Sequence, residues 1–226
     1  MAHVYDTLVR GVRVVRPGHD NAVAADIAVR DGRIAAIAPG LDPASAARVI
    51  DGKGRLAFPG LVDAHMHVGI YRPLAADAGP ESQAAAAGGV TSSLNYIRTG
   101  RYYLNEGGPY AQFFPKVLEA SRGRFYVDYA YHLAPITREH IREMDMLIRE
   151  FGVPSFKIFM FYGSHGLHGC SSHQDDFLML GEGDHYDIAH FEFVMRELSR
   201  LAEARPDLRE VLSLSLHCEI GEILSA

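Results

Sequence analysis

Apolar and polar residues alternate with a period of two through residues 1 to about 57, as strands require. "TLVRGVRVV" leads into the turn-like "PGHDN", and "ADIAVRDGRIAAIAP" carries Asp31-Gly32, a two-residue hairpin signal. "ARVIDGKGRLAFPG" repeats the signal at Asp51-Gly52. The pattern predicts a small antiparallel β unit over residues 1–57, ending at Pro59-Gly60.

From residue 58 onward the period changes. Strand-like runs at 61–67, 90–96, 124–132, 155–162 and 211–218 are separated by segments with helical spacing. In "TREHIREMDMLIREFG", Ile141, Met144, Leu147, Ile148 and Phe151 form one stripe and Gly152 is the stop. A second helix is predicted over 187–204, with Asp187 as N-cap and Ile188, Phe191, Met195, Leu198 and Leu201 as its apolar stripe. Repeated β-α units with apolar strands imply parallel strands covered by helices. Five such strands suit either the first part of a (β/α)8 barrel or an open doubly wound sheet. No glycine-rich phosphate loop follows the first strand, which counts against a dinucleotide-binding sheet.

The strand ends carry the chemistry. His65 and His67 are two residues apart on one strand and therefore face the same side, a spacing suited to two metal ligands. Lys157 sits among Phe156, Ile158 and Phe159, where burial disfavours its charge and would make the amine nucleophilic toward carbon dioxide. His217 ends the fifth strand after "LSLSL". Taken singly, each has a plainer reading: histidines bonded to backbone, a lysine reaching out from a strand edge, a satisfied core histidine. Together, three strand ends supplying His-x-His, Lys and His are harder to read that way.

With these residues in place, the chain resembles the amidohydrolase superfamily, in its cyclic-amide branch of hydantoinases, dihydropyrimidinases and dihydroorotases. The likeness runs through "YDTLVRGVRVV", "ADIAVRDGRIAAIAP", "VIDGKGRLAFPGLVDAHMH", "GGVTSSLNYI", "GVPSFKIFMFY" and "LHCEIGEIL". It implies a (β/α)8 TIM barrel, of which residues 58–226 hold the first five β/α units, joined to a small β-sandwich part at 1–57. It implies two divalent metal ions, zinc by expectation: His65 and His67 on one, His217 on the other, and Lys157 bridging both as a carbamate. Tyr162 would hydrogen-bond the substrate carbonyl and its developing oxyanion, and Asn95 in the second strand is carried as a substrate contact. The implied reaction is hydrolysis of a ring C–N bond in a small cyclic amide by a hydroxide shared between the metals, in a homo-oligomer (dimer or tetramer). Alternatives are a non-catalytic scaffold of the same fold, or another superfamily reaction such as deamination or cleavage of N-acyl amino acids or dipeptides.

The match also departs from the family. The sixth-strand histidine and eighth-strand aspartate lie beyond Ala226, so the expectation is an N-terminal part of a longer polypeptide, inactive as it stands. Where dihydroorotases carry an arginine two residues after the second histidine, and hydantoinases usually an aspartate, this chain has Gly69. Arg72 is read as a solvated loop residue. His165, His168, Cys170 and His173, in the long loop after strand four, are read as part of a pocket cover in preference to a further metal site. The Tyr-rich stretch "YIRTGRYYLNEGGPY" is left between substrate and subunit contact. His132 faces the mouth as lining or core, and His3, His19, His140, His185 and His190 are placed on the β unit, a turn or helix surfaces without a role.

Composition narrows the rest. Net charge is −6 without a basic block, which gives no footing for nucleic acid or an anionic membrane. No apolar run reaches the ~18 residues of a membrane span, and Asp6 and Arg10 interrupt any signal-peptide core. Two cysteines fit a reducing, cytoplasmic setting.

Overall fold

Asp31 and Gly32 both take positive φ (51° and 71°), the backbone that a two-residue hairpin with native strand twist requires. They join β2 (Val23–Arg30) to β3 (Arg33–Ala38) as predicted, with Arg30 opposite Arg33. The structure, a computed structural model, describes residues 3–160 and 177–218. The chain divides into two compact units, Met1–Gly60 and Leu61–Ala226.

The first unit is one five-stranded sheet. β1 (Tyr5–Val14) lies between β2 and β4 (Ala46–Asp51), and β5 (Leu56–Ala57) also pairs with β1. The β1–β2 and β2–β3 pairs are antiparallel, but β4 and β5 both run parallel to β1. The second Asp-Gly is thus no hairpin, and the unit is mixed where an antiparallel one was expected. Gly52 and Gly54 donate to the carbonyls of Arg10 and Gly11 (both 2.7 Å), so the turn steps sideways and the chain continues in the same direction along β1. A Cβ on Gly52 would meet Val12 at 2.3 Å, which explains the glycine. Buried Asp26 accepts from the backbone N–H groups of Gly11 and Leu41, pinning the irregularity in β1.

The second unit holds a parallel sheet in the order β6 (Leu61–His67), β7 (Val90–Ile97), β8 (Asp128–Leu133), β9 (Ser155–Met160), β10 (Ser213–Cys218). Each strand neighbours its predecessor in sequence. A doubly wound sheet reverses its strand order at a switch point; this one does not, and the order is that of consecutive barrel units. The sheet amounts to a curled half-barrel. The connecting helices are α1 (Leu74–Ala87), α2 (Tyr110–Ser121), α3 (Arg138–Phe151) and α4 (Ile188–Ala204). Phe113, Phe114 and Val117 of α2 and Met144, Leu147 and Ile148 of α3 join Ile97, Leu133, Phe156 and Ile158 of the strands in one buried cluster.

Helix α3 begins and stops where the sequence places it: Thr137 caps it, and Gly152 closes it at φ 65°. Helix α4 starts after Asp187, whose carboxylate accepts from the His190 N–H (2.9 Å). Its stripe is rotated from the expected one. Phe191, Val194 and Leu201 are buried, whereas Ile188 and Met195 stand on the shoulder, exposed. Strand three is shorter than expected, starting at Asp128 rather than 124. His140 and His190 are not on helix surfaces: both are buried at helix N-termini, with their Nε2 donating to the carbonyls of Gly108 (2.9 Å) and Pro135 (2.7 Å).

Candidate metal centre at the strand ends

Parallel strands bring their C-terminal ends to one side, and residues of matching parity share a face. In register, His67 lies beside Tyr96, Tyr96 beside His132, and Phe159 beside His217. His65 and Lys157 sit two residues earlier on their strands and face the same way.

Three nitrogens converge here. His65 Nε2 is 3.0 Å from His67 Nε2 and 2.6 Å from Lys157 Nζ. The two imidazoles meet edge to face, with centroids 4.8 Å apart. A ring nitrogen carries one hydrogen or one lone pair, so His65 Nε2 cannot satisfy both neighbours at once. Ligand–cation bonds of about 2.0–2.1 Å place two ligand nitrogens roughly 3 Å apart. The oversubscribed nitrogen and this spacing fit a divalent cation held between the two rings. Among the described residues no group of three or more His, Cys, Asp or Glu side chains has metal-holding geometry. The third group at this point is therefore a lysine, which as an ammonium has no lone pair to give.

Lys157 is 3% exposed. Its Nζ lies 4.2 Å from the Phe159 ring centroid and 5.0 Å from that of Tyr96. Burial lowers its pKa to about 8. Burial and then the charges of Lys157 and His217 lower that of His65, against a smaller upward pull from Asp63. His217 is half-buried, its ring 4.9 Å from Phe159. A cleft of about 490 Å³ is lined by Ala64, His65, Lys157, Ser215, Leu216, His217 and Cys218. The structure thus brings His65, His67 and Lys157 into contact and sets His217 across the same cleft.

Two groups behind the histidines were not assigned from sequence. Tyr103 Oη lies 2.9 Å from His67 Nδ1, and His132 Nε2 lies 3.0 Å from His65 Nδ1. His132 is fully buried, and burial holds its pKa down at about 3, so the ring is neutral. The sequence places His132 at this mouth, as lining or core, without its contact to His65; Tyr103 comes from the loop after β7, where no periodicity guides the reading. Of the Tyr-rich stretch, Tyr96, Tyr103 and Tyr110 are buried and Tyr102 is exposed, so three of its four tyrosines are core.

Asn95 is not among the convergent groups. It has the opposite parity to Tyr96 in β7 and is fully buried, with Nδ2 donating to Ser93 Oγ (3.1 Å) and the Ala130 carbonyl (3.2 Å). This placement sets it within the sheet, apart from those groups. Gly69 has φ 86° and its would-be Cβ meets Leu74 at 3.0 Å, so neither an arginine nor an aspartate fits there without strain. Arg72 is exposed. Tyr162 and the loop residues His165, His168, Cys170 and His173 lie outside the described residues.

No protein-family model matches the chain. A D-hydantoinase of Streptomyces coelicolor is 33% identical over 172 residues, 69% of this chain and 34% of that protein. A D-hydantoinase of Geobacillus stearothermophilus is 34% identical over 145 residues, 61% of this chain and 29% of that protein. The chain thus spans about a third of the length of the curated relatives it matches. In structure it is similar to the L-hydantoinase (dihydropyrimidinase) of Arthrobacter aurescens, with a TM-score of 0.69 and 22% identity over 98% of this chain and 42% of that one. Over most of its length the chain is thus a homologue of D-hydantoinases, and its consecutive sheet order agrees with the fold of the hydantoinase structures.

Proposed function

We propose that this chain supplies the cation-binding strands of a hydrolase that opens a small cyclic amide, such as a hydantoin or dihydropyrimidine ring, at a C–N bond. The observation that carries the reading is the approach of His67 Nε2 and Lys157 Nζ to His65 Nε2, at 3.0 and 2.6 Å, on sequentially ordered parallel strands.

His65 and His67 would hold one divalent ion through Nε2, and His217 would contribute to a second across the cleft. Zinc suits imidazole donors at this spacing. Bound ions would supply Lewis-acid polarisation of the ring carbonyl and a water of lowered pKa. The chain's own residues prepare for this. The Tyr96 and Phe159 rings pack around Lys157, and burial lowers its pKa to about 8, so the neutral amine is more populated near pH 7 than in an exposed lysine. A neutral amine forms an N–C bond to carbon dioxide and releases one proton to solvent. The product is an anionic carbamate with two oxygens, a ligand able to bridge. Lys157 thereby changes from a cation opposing metal entry into a donor. Tyr162, five residues further on, is assigned to the substrate carbonyl on the strength of the family resemblance.

Two readouts need only residues present here. Protein equilibrated with zinc and 13C-bicarbonate should show bound metal and a carbamate carbon resonance, and Lys157→Ala should remove the resonance and weaken metal binding. Absence of both metal and carbamate in the unmodified protein would overturn the reading. A third readout concerns activity in protein extending beyond this chain, offered hydantoin, dihydrouracil, dihydroorotate and N-acyl amino acids. Ring opening abolished by chelation is expected, with partial recovery of Lys157→Ala by added short carboxylic acids. Full turnover by metal-free protein would refute it.

A further inference from the structure

His132 poses a question of its own. It is wholly buried, its Nε2 contacts His65 Nδ1 at 3.0 Å, and its Nδ1 has no hydrogen-bond partner among the described residues. A buried unpaired polar atom is costly and calls for an explanation. The proton positions supply one. For His65 to offer a lone pair at Nε2, its proton must sit on Nδ1. That N–H then donates to His132 Nε2, which must be the acceptor. The His132 proton is consequently confined to Nδ1, the atom that the fold leaves without a partner. The unpaired N–H is what remains when His132 is committed to accepting from His65.

The contact of Lys157 Nζ with His65 Nε2 at 2.6 Å points the same way, because an ammonium can only donate there. His67 differs. Its Nδ1 faces the Tyr103 hydroxyl at 2.9 Å, and a hydroxyl can donate or accept. That contact alone fixes no tautomer on His67.

We infer that His132 is a positioning residue that locks His65 in the Nδ1-protonated tautomer, with its Nε2 lone pair aimed at the cation site. The role in cation binding rests on the metal-dependent reading above; the tautomer lock does not. Partners that orient metal-ligating histidines contribute 10–100-fold in affinity as an order of magnitude.

The test compares His132→Leu, which removes the acceptor, with His132→Gln, whose Oε1 can stand near the Nε2 position and accept. In metal-free protein, long-range 1H–15N correlation spectra report the His65 tautomer. Nδ1–H is expected in the unmodified and Gln proteins, and a mixture or the Nε2–H form in the Leu protein. With Co2+ as probe, the Leu protein should bind roughly 10–100-fold more weakly, and the Gln protein should recover most of that loss. Thermal melts confirm that both variants are folded. An unchanged His65 tautomer in folded His132→Leu overturns the inference, whether or not cobalt binds. Absence of cobalt binding in the unmodified protein, with the tautomer shift still present, overturns the metal reading alone.

Discussion

Lys157 combines two demands that oppose each other. It is 3% exposed between aromatic rings, and burial lowers its pKa to about 8 from an ordinary 10.5. The unfolded chain therefore binds a proton more tightly than the native one. The resulting cost is fully present below about pH 8 and is relieved as pH rises through 8 toward 10.5. A residue kept at such a cost belongs to function before stability. Lys157→Met keeps the length and removes the charge. In chelator-treated protein at pH 7 it should raise stability by about 1–3 kcal/mol, an increase in Tm that shrinks above pH 9, while the carbamate signal disappears. A lower Tm for the Met variant at pH 7 would contradict this account. The tension was legible in the sequence, because "SFKIFMFY" puts a lysine inside an apolar strand. The supports of the two histidines were legible only in part: the end of strand three put His132 at the mouth, but its contact with His65 spans 67 residues, and that of Tyr103 with His67 spans 36.

At the scale of elements, α3 and α4 share a starting device. A capping oxygen, on Thr137 or Asp187, accepts the backbone N–H of a buried histidine three residues later. That histidine then donates through Nε2 to a loop carbonyl. In α3, His140 Nδ1 also accepts from the N–H groups of Ile136 and Thr137 (3.0 and 3.2 Å), so protonating Nδ1 removes both bonds. Burial, the leading cause, holds the His140 pKa at about 4 against an ordinary 6.5. The unfolded chain takes up its proton first as pH falls. Stability is thus complete above about pH 6.5 and is lost between 6.5 and 4, by about 3 kcal/mol for this one group. His190 is shifted in the same direction, first by burial. Urea titrations followed by the helical far-UV CD signal should show this slope, and His140→Gln should flatten it. An equally steep profile in the Gln variant would rule out His140 as its source. The caps at Thr137, Gly152 and Asp187 were readable because they act within one turn. The burial of His140 and His190 depends on carbonyls at 108 and 135, which local pattern cannot supply. Asp51-Gly52 misled for a related reason: the dipeptide permits a tight turn, but the partner strand decides whether the chain reverses.

For the whole molecule, the sheet of the second unit decides what can be expected of this chain in solution. Parallel strands are stable with both faces covered and their edges paired or protected. Here β6 and β10 stand at the two ends of the strand order, each without a strand neighbour on one side among the described residues. Apolar residues on these strands are open to solvent: Leu61 is 59% exposed, Val62 70% and Leu216 45%. Such edges recruit other strands when nothing else covers them. Residues 1–226 prepared alone should therefore self-associate with rising concentration, with no change in the pattern of His65, His67 and Lys157 within each copy. Val62→Lys combined with Leu216→Lys places a charge on each edge and should shift the population toward monomer by light scattering, at unchanged far-UV CD. A wild-type chain that stays monomeric at high concentration would show that these edges are already covered, and the half-barrel would then be a complete sheet in its own right.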